Sequence, residues 1–252
     1  MTDFINLQSW QWTDYDELES TNDVALGLSA ELLPGQKIVI TAKKQTKGRG
    51  RRGRVWIGLD DNLFMSMLFR WPLADTGALV LMVSLSLLNT VKFFSPDSDI
   101  KLKWPNDVLL NGSKMSGILL ERKDNNNIVV GIGVNIKSAP SDNNMLYPVT
   151  SLSANGIICE REDFLKRYLV EFNQTCDLYA EKGLSAIVTL WRQNAKGIGQ
   201  KIIVRTPKGE QVGIFKNLSN DGLLQLLTTD GAIKTISAGD VFFDVNGEDN
   251  KQ

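Results

Sequence analysis

Seven positive charges fall within twelve residues, at Lys43, Lys44, Lys47, Arg49, Arg51, Arg52 and Arg54, with no acid among them. Gly48, Gly50 and Gly53 are interleaved with the arginines, so the segment joins backbone freedom to a concentration of guanidinium groups. Like charges repel, and an anion that neutralised them would order the loop, which makes phosphate or carboxylate chemistry the natural expectation. The glycines also fit Gly-x-Gly-x-x-Gly, but Val55-Trp56-Ile57 does not begin the helix that a dinucleotide site requires. Gly48, four residues, Gly53 and a cation imitate a P-loop, yet Arg54-Val55 replaces the Lys-Ser that would hold phosphate and magnesium. From charge alone, a solvated surface turn and an RNA or DNA contact with Trp56 stacked on a base both stay open. The net charge of −1 requires any anionic partner to be met by a local patch.

The chain contains no histidine. A Ser-His-Asp triad, a histidine base and a histidine metal site are therefore excluded, and proton transfer falls to Asp, Glu, Lys or water. Cys159 and Cys176 are too few for a disulfide framework or a zinc cluster, which fits a reducing compartment. Lys114-Met115-Ser116 echoes a signature of one class of aminoacyl-tRNA synthetases, whose companion motif needs the missing histidine.

The elements that must position these residues follow from periodicity. Ser20-Thr21-Asn22-Asp23 opens a helix with a capping-box-like start, and Pro34-Gly35 ends it. Strands are expected at 37–43 and 63–70, then a buried helix over 74–94 whose apolar run is interrupted by Ser84 and Ser86 and is too short to span a bilayer. Asn111-Gly112 marks a hairpin into a strand over 115–122, residues 125–127 form a turn, and 128–134 reads as a fully buried strand. Helices are expected over 161–182 and 184–194. From Gly197 the character changes to short strands at 201–205, 210–216, 223–228 and 233–237, suggesting a small barrel packed directly on the main domain. The expected division is 1–196 and 197–252, in an α/β (α+β) fold. The first residues lack a signal peptide, which points to a soluble, cytoplasmic protein with no membrane partner.

With its surroundings, the glycine-arginine loop resembles that of the biotin protein ligases, Gly-Arg-Gly-Arg-x-Gly-Arg-x-Trp, here Gly48 through Trp56. Four more blocks agree in order: Ser20-Thr21-Asn22, Lys103-Trp104-Pro105-Asn106-Asp107, the Lys-Met-Ser-Gly-Ile-Leu-Leu-Glu run from Lys114 to Glu121, and Gly131-Ile132-Gly133-Val134-Asn135. The resemblance implies a class II synthetase-like mixed-sheet catalytic domain followed by an SH3-like β-barrel. It implies that biotin is adenylated by ATP to biotinyl-5'-AMP and passed to a lysine of a biotin carboxyl carrier domain of a carboxylase. Magnesium would arrive on the ATP, and no protein-built metal site is expected. Some members of the family begin with a winged-helix DNA-binding domain; the 19 residues before Ser20 leave no room for one, so DNA is not an expected partner, while a homodimer stays open.

By the same resemblance, Ser20, Thr21, Asn22 and Gln45 meet the biotin head group. Gly48, Arg49, Gly50 and Arg51 cover it, and Lys114 and Gly117 complete the biotin site. Arg51 and Lys114 are the leading cations for the transition state, with Arg49, Arg52 and Arg54 positioning the loop and Arg54 near the leaving pyrophosphate. Trp56, Asn106, Gly133 and Asn135 match positions that meet adenine or ribose, and Asp107 or Lys103 helps to deprotonate or orient the acceptor lysine. Two alternatives stand beside this reading. One is a lipoate or octanoyl ligase, against which the absence of that group's histidine-aspartate block argues; the other is a biotin-sensing protein that has lost its chemistry.

Overall fold

The first part of the chain forms β1 (Ile5–Leu7), β2 (Trp10–Leu18), α1 (Thr21–Leu28), β3 (Lys37–Gln45), β4 (Leu63–Arg70) and α2 (Thr76–Phe94). It continues as β5 (Ile100–Lys103), β6 (Asp107–Leu110), β7 (Ser113–Glu121), β8 (Asn127–Val134) and α3 (Arg161–Gln193). The structure, a computed structural model, describes residues 5–7, 9–124, 126–141 and 147–243; the expected turn at Asn125 and the last residues of the chain, 244–252, lie outside them. The eight strands make one mixed sheet in the order β1-β2-β3-β4-β8-β7-β6-β5. β2 and β3 pair in parallel, the other neighbours antiparallel. A parallel pair needs a crossover, and α1 supplies it.

Ser20 caps α1 as expected, its Oγ accepting from the Asp23 N–H at 3.4 Å. The helix is shorter than its apolar run, giving way to a 3-10 turn at Ser29–Glu31. α3 is interrupted at Gly183, whose φ of 71° and ψ of −175° no side-chain-bearing residue adopts cheaply, so the two expected helices meet there.

Strand alternation sends residues to two unlike faces. Met65, Met67 and Val130 join Trp10, Met82, Phe172 and Trp191 under α2 and α3. Ile40, Leu68 and Val129 turn the other way, against Ala25 and Leu32 beside α1. The segment Leu73–Phe94 is long and apolar enough to cross a membrane, with a mean hydropathy of 1.7, but it is the expected core helix, largely buried in the fold. Its serines are satisfied internally: Ser86 donates to the Met82 carbonyl, and Ser84 accepts from Trp191 Nε1 at 3.0 Å.

The C-terminal strands are β9 (Lys201–Thr206), β10 (Gly209–Leu218), β11 (Leu224–Leu227), β12 (Ile233–Ile236) and β13 (Asp240–Phe243). Four match the expectation; β13 was not foreseen. Among the described residues they form an antiparallel sheet, β12-β11-β10-β9-β13, in which the two edge strands do not pair with each other. The sheet packs directly on the main domain, as expected. Phe215, Leu224 and Val241 share the buried cluster of α2, and Trp104 Nε1 donates to the Gly222 carbonyl at 3.3 Å.

Trp191 is fully buried between these layers. Trp191→Ala should cost about 3–5 kcal/mol in urea unfolding. A loss below about 1 kcal/mol would show that α3 does not carry this core.

Candidate active site

Sheet register lays out the centre of the site. Lys103 pairs with Asp107, Asp107 with Gly117, Gly117 with Gly133 and Gly133 with Phe64, so these residues form one transverse row on the α1 face. Lys114 would turn away by simple alternation from Gly117. A register shift between β6 and β7 leaves Met115 as an extra residue, and this bulge brings Lys114 onto the same face. Its Nζ lies 2.6 Å from Asp107 Oδ1. Over the row opens a cavity of about 350 Å³, lined by every residue that the resemblance nominated except Gly48 and Arg52. Gly48 serves the loop's base instead: a Cβ there would lie 2.6 Å from the Trp56 carbonyl oxygen.

The two glycines of the 131–135 block seat neighbouring side chains against the sheet. A Cβ on Gly133 would stand 2.3 Å from the Trp56 indole, and one on Gly131 2.3 Å from Asn22 Oδ1. Trp56 thus lies across the glycine pair of β7 and β8, with Lys114 Nζ 5.5 Å from its ring centre.

One end of the cavity is polar, and the Arg49 charge there is balanced by Asp23 and Glu121. Gln45 Oε1 accepts from Thr21 N at 2.8 Å and from Thr21 Oγ1 at 3.1 Å. A backbone N–H can only donate, so the Gln45 oxygen is fixed there and its Nε2 hydrogens remain for another acceptor. Ser20 Oγ accepts from Asp23 N and from Arg49 Nη1 at 3.2 Å, leaving its own proton to donate. Asn22 donates through Nδ2 to Glu121 Oε2 at 2.6 Å and accepts at Oδ1 from Ser66.

The other end, lined by Arg51, Arg54, Lys103 and Lys114, is cationic, and across the loop as a whole the structure corrects the expectation of an unneutralised segment. Carboxylates from distant segments meet all seven charges. Lys43, Lys44 and Lys47 pair with Asp16, Glu17 and Glu19 of β2 and its exit, at 2.7, 2.8 and 2.6 Å. Arg49 reaches Asp23 at 2.7 Å and Glu121 at 2.9 Å. Arg51, Arg52 and Arg54 converge on Asp240 of β13, with Arg51 at 3.8 Å and Arg52 at 3.1 Å. Arg52 occupies the left-handed region, φ 56°, to make that turn. Arg51 Nη1 also donates to Asn106 Oδ1 at 3.0 Å. Burial lowers the Arg51 pKa below the usual guanidinium value, whereas the hydrogen bond to Asp23 raises that of Arg49.

Lys103 is buried at the cavity wall, Nζ 3.0 Å from the Tyr147 ring centre and 3.9 Å from Asp107 Oδ2. Burial pulls its pKa down to about 8, against the opposing pull of Asp107. Tyr147 is braced by the C-terminal sheet, stacking on Phe242 at 5.3 Å and donating to the Val241 carbonyl at 3.2 Å. Asn135 Oδ1 and Trp56 Nε1 are buried polar atoms without a protein hydrogen bond, and both residues line the cavity. Among the described residues no group of three or more potential ligands could hold a metal ion. Asp240, Tyr147, Ser66 and the role of Glu121 escaped the reading of the sequence. Glu121 closes a recognised block, but nothing local marks Asp240.

Residues 16–136 match the biotin/lipoate A/B protein ligase family, and residues 197–244 match the biotin protein ligase C-terminal domain. The chain is 33% identical over 240 residues to the biotin--[acetyl-CoA-carboxylase] ligase of Paracoccus denitrificans, covering 89% of this chain and 97% of that one. It is also 33% identical over 234 residues to the bifunctional ligase/repressor BirA of Bacillus subtilis, covering 89% and 71%. A biotin protein ligase from Aquifex aeolicus in complex with biotin and ATP superposes with a TM-score of 0.79 at 26% identity, over 93% of this chain and 98% of that one.

Asp240→Ala should lower stability by about 1–3 kcal/mol by leaving three arginines without their carboxylate. Millimolar pyrophosphate should raise the thermal midpoint more in that variant than in the unmodified protein, because an external anion takes the vacated place. An equal rise in both would contradict the clasp.

Proposed function

The chain belongs to the biotin/lipoate A/B protein ligase family, and from that premise we propose that it is a biotin protein ligase acting in the cytoplasm. It joins biotin to ATP as biotinyl-5'-AMP, then transfers the biotinyl group to a lysine of a biotin carboxyl carrier domain. The observation that carries this reading is one cavity with a donor-lined neutral end and a cationic end that meet at Lys114 and Arg51. In the first step a biotin carboxylate oxygen attacks the α-phosphorus and pyrophosphate leaves. Negative charge grows on the phosphoryl oxygens, which fixed cations stabilise without reorganisation. Arg51, oriented by Asn106, and Lys114, oriented by Asp107, are those cations. Arg54 stands toward the leaving pyrophosphate, and magnesium enters on ATP. Asn135 Oδ1, an unpartnered buried acceptor, suits the adenine amino group, and the Trp56 face suits the ring.

The donors supplied by Ser20 and Gln45 favour biotin over lipoate or octanoate. A cyclic urea carbonyl accepts from them, whereas a dithiolane or a methyl end would leave buried donors unsatisfied at about 1–3 kcal/mol each. The loop's exposed lysines are each paired with a carboxylate, which leaves its outer face little charge for a nucleic acid. We assign residues 1–196 to the catalytic domain, class II synthetase-like, and 197–252 to an SH3-like barrel that contributes Asp240 and braces Tyr147.

In the second step the neutral amine of the acceptor lysine attacks the acyl carbon and AMP departs. Lys103, its pKa brought down to about 8 by burial, accepts the proton directly in its deprotonated form or orients the amine together with Asp107.

Exchange of labelled pyrophosphate into ATP should depend on biotin and not on lipoate or octanoate; no exchange with biotin would overturn the assignment. Arg51→Ala and Lys114→Ala should each lose about 2–4 kcal/mol of transition-state stabilisation, read as kcat/KM. For the transfer step followed alone from preformed adenylate, the rate should climb as pH rises through about 8, where Lys103 loses its proton, and Lys103→Arg should abolish that inflection. An unchanged profile in Lys103→Arg would remove Lys103 from the step.

A further inference from the structure

We propose that Glu121 is a positioning residue that sets the hydrogen-bonding polarity of the biotin head-group site, by holding the Asn22 amide with an N–H left for the ligand. The proposal rests on the biotin reading and adds to it the residue that enforces the preference for a urea. An asparagine amide can present either its oxygen or its nitrogen, and its neighbours decide which. Among the described residues two side chains hydrogen-bond the Asn22 amide. Ser66 can donate or accept, so it follows whichever way the amide turns. Glu121 cannot: an ionised carboxylate only accepts, so the atom 2.6 Å from its Oε2 must be Nδ2.

Arg49 holds that carboxylate in place, with Nε 3.3 Å from Oε1 and Nη2 2.9 Å from Oε2. With Nδ2 so fixed, Oδ1 lies over Gly131, where a Cβ would come within 2.3 Å, and receives the Ser66 proton. Asn22 is 4% exposed, so an amide turned the wrong way would set its oxygen against the Glu121 carboxylate, acceptor to acceptor, in a nearly dry site. The second Nδ2 hydrogen then joins the Ser20 hydroxyl and the Gln45 amide nitrogen as donors at one end of the cavity. Glu121 does not line the cavity and acts through Asn22.

The test is Glu121→Gln, whose amide can offer Asn22 a donor as easily as an acceptor, compared with Asp23→Asn, which removes the other carboxylate of Arg49 without touching Asn22. In biotin-dependent pyrophosphate exchange, Glu121→Gln should raise the KM for biotin about 10- to 100-fold, with kcat and the KM for ATP within about twofold of the unmodified enzyme. Desthiobiotin, which keeps the cyclic urea and lacks the sulfur, should weaken as a competitor by the same factor. Asp23→Asn should leave the biotin KM within about twofold, because Glu121 alone fixes the amide. The proposal is overturned if Glu121→Gln keeps the original biotin KM, if both KM values rise together, or if Asp23→Asn reproduces the loss. Failure of the unmodified enzyme to exchange with biotin would instead overturn the biotin assignment itself.

Discussion

Seven cations cannot share twelve residues unless carboxylates reach them. Two like charges about 4 Å apart near a protein surface repel by roughly 4 kcal/mol. The chain meets this demand from four separate places: β2, the first turn of α1, the end of β7 and the start of β13. Each pairing also fixes an element. The β2 acids stand beside the β3 lysines, Asp23 and Glu121 tie the loop's entry to the head-group pocket, and Asp240 ties its far side to the C-terminal sheet. The exposed lysine pairs add little stability individually. The half-buried arginine cluster around Asp240 matters more, because losing its one carboxylate leaves three charges uncompensated.

This division of charge gives the cavity its two ends. Near Ser20, Asn22 and Gln45 the groups are neutral donors whose acceptor sides are already occupied by protein. Near Arg51 and Lys114 they are cations. The glycine strip across β7 and β8 lets Trp56 and Asn22 lie flat against the sheet between those ends, and the bulge at Met115 aims Lys114 at their junction. Binding of a small uncharged head and of a polyphosphate are thereby separated along one cleft.

Much of this was legible in the sequence. The core helix, the β3, β4, β7 and β8 strands, the helix break at Gly183 and the C-terminal strands follow from periodicity and turn residues. Five ordered blocks named most of the cavity lining. What escaped has physical reasons. β2 carries Asp14, Asp16 and Glu17, acids that make sense on a strand only once Arg161 of α3 lies beside the first and the lysines of β3 beside the other two. The facing of Lys114 depends on a bulge that no local signal announces. The packing of Gly48 against the Trp56 backbone likewise has no local signal. Asp240 lies 186 residues from Arg54 in the chain, so only folding reveals that the loop's missing acid is there.

The central claim is that one cleft binds its two ligands by different physics, and salt separates them. Biotin and pyrophosphate affinities measured by calorimetry from low to high sodium chloride test it most directly. The account predicts that pyrophosphate affinity falls steeply as screening grows, while biotin affinity changes little. Parallel losses for both ligands would contradict it.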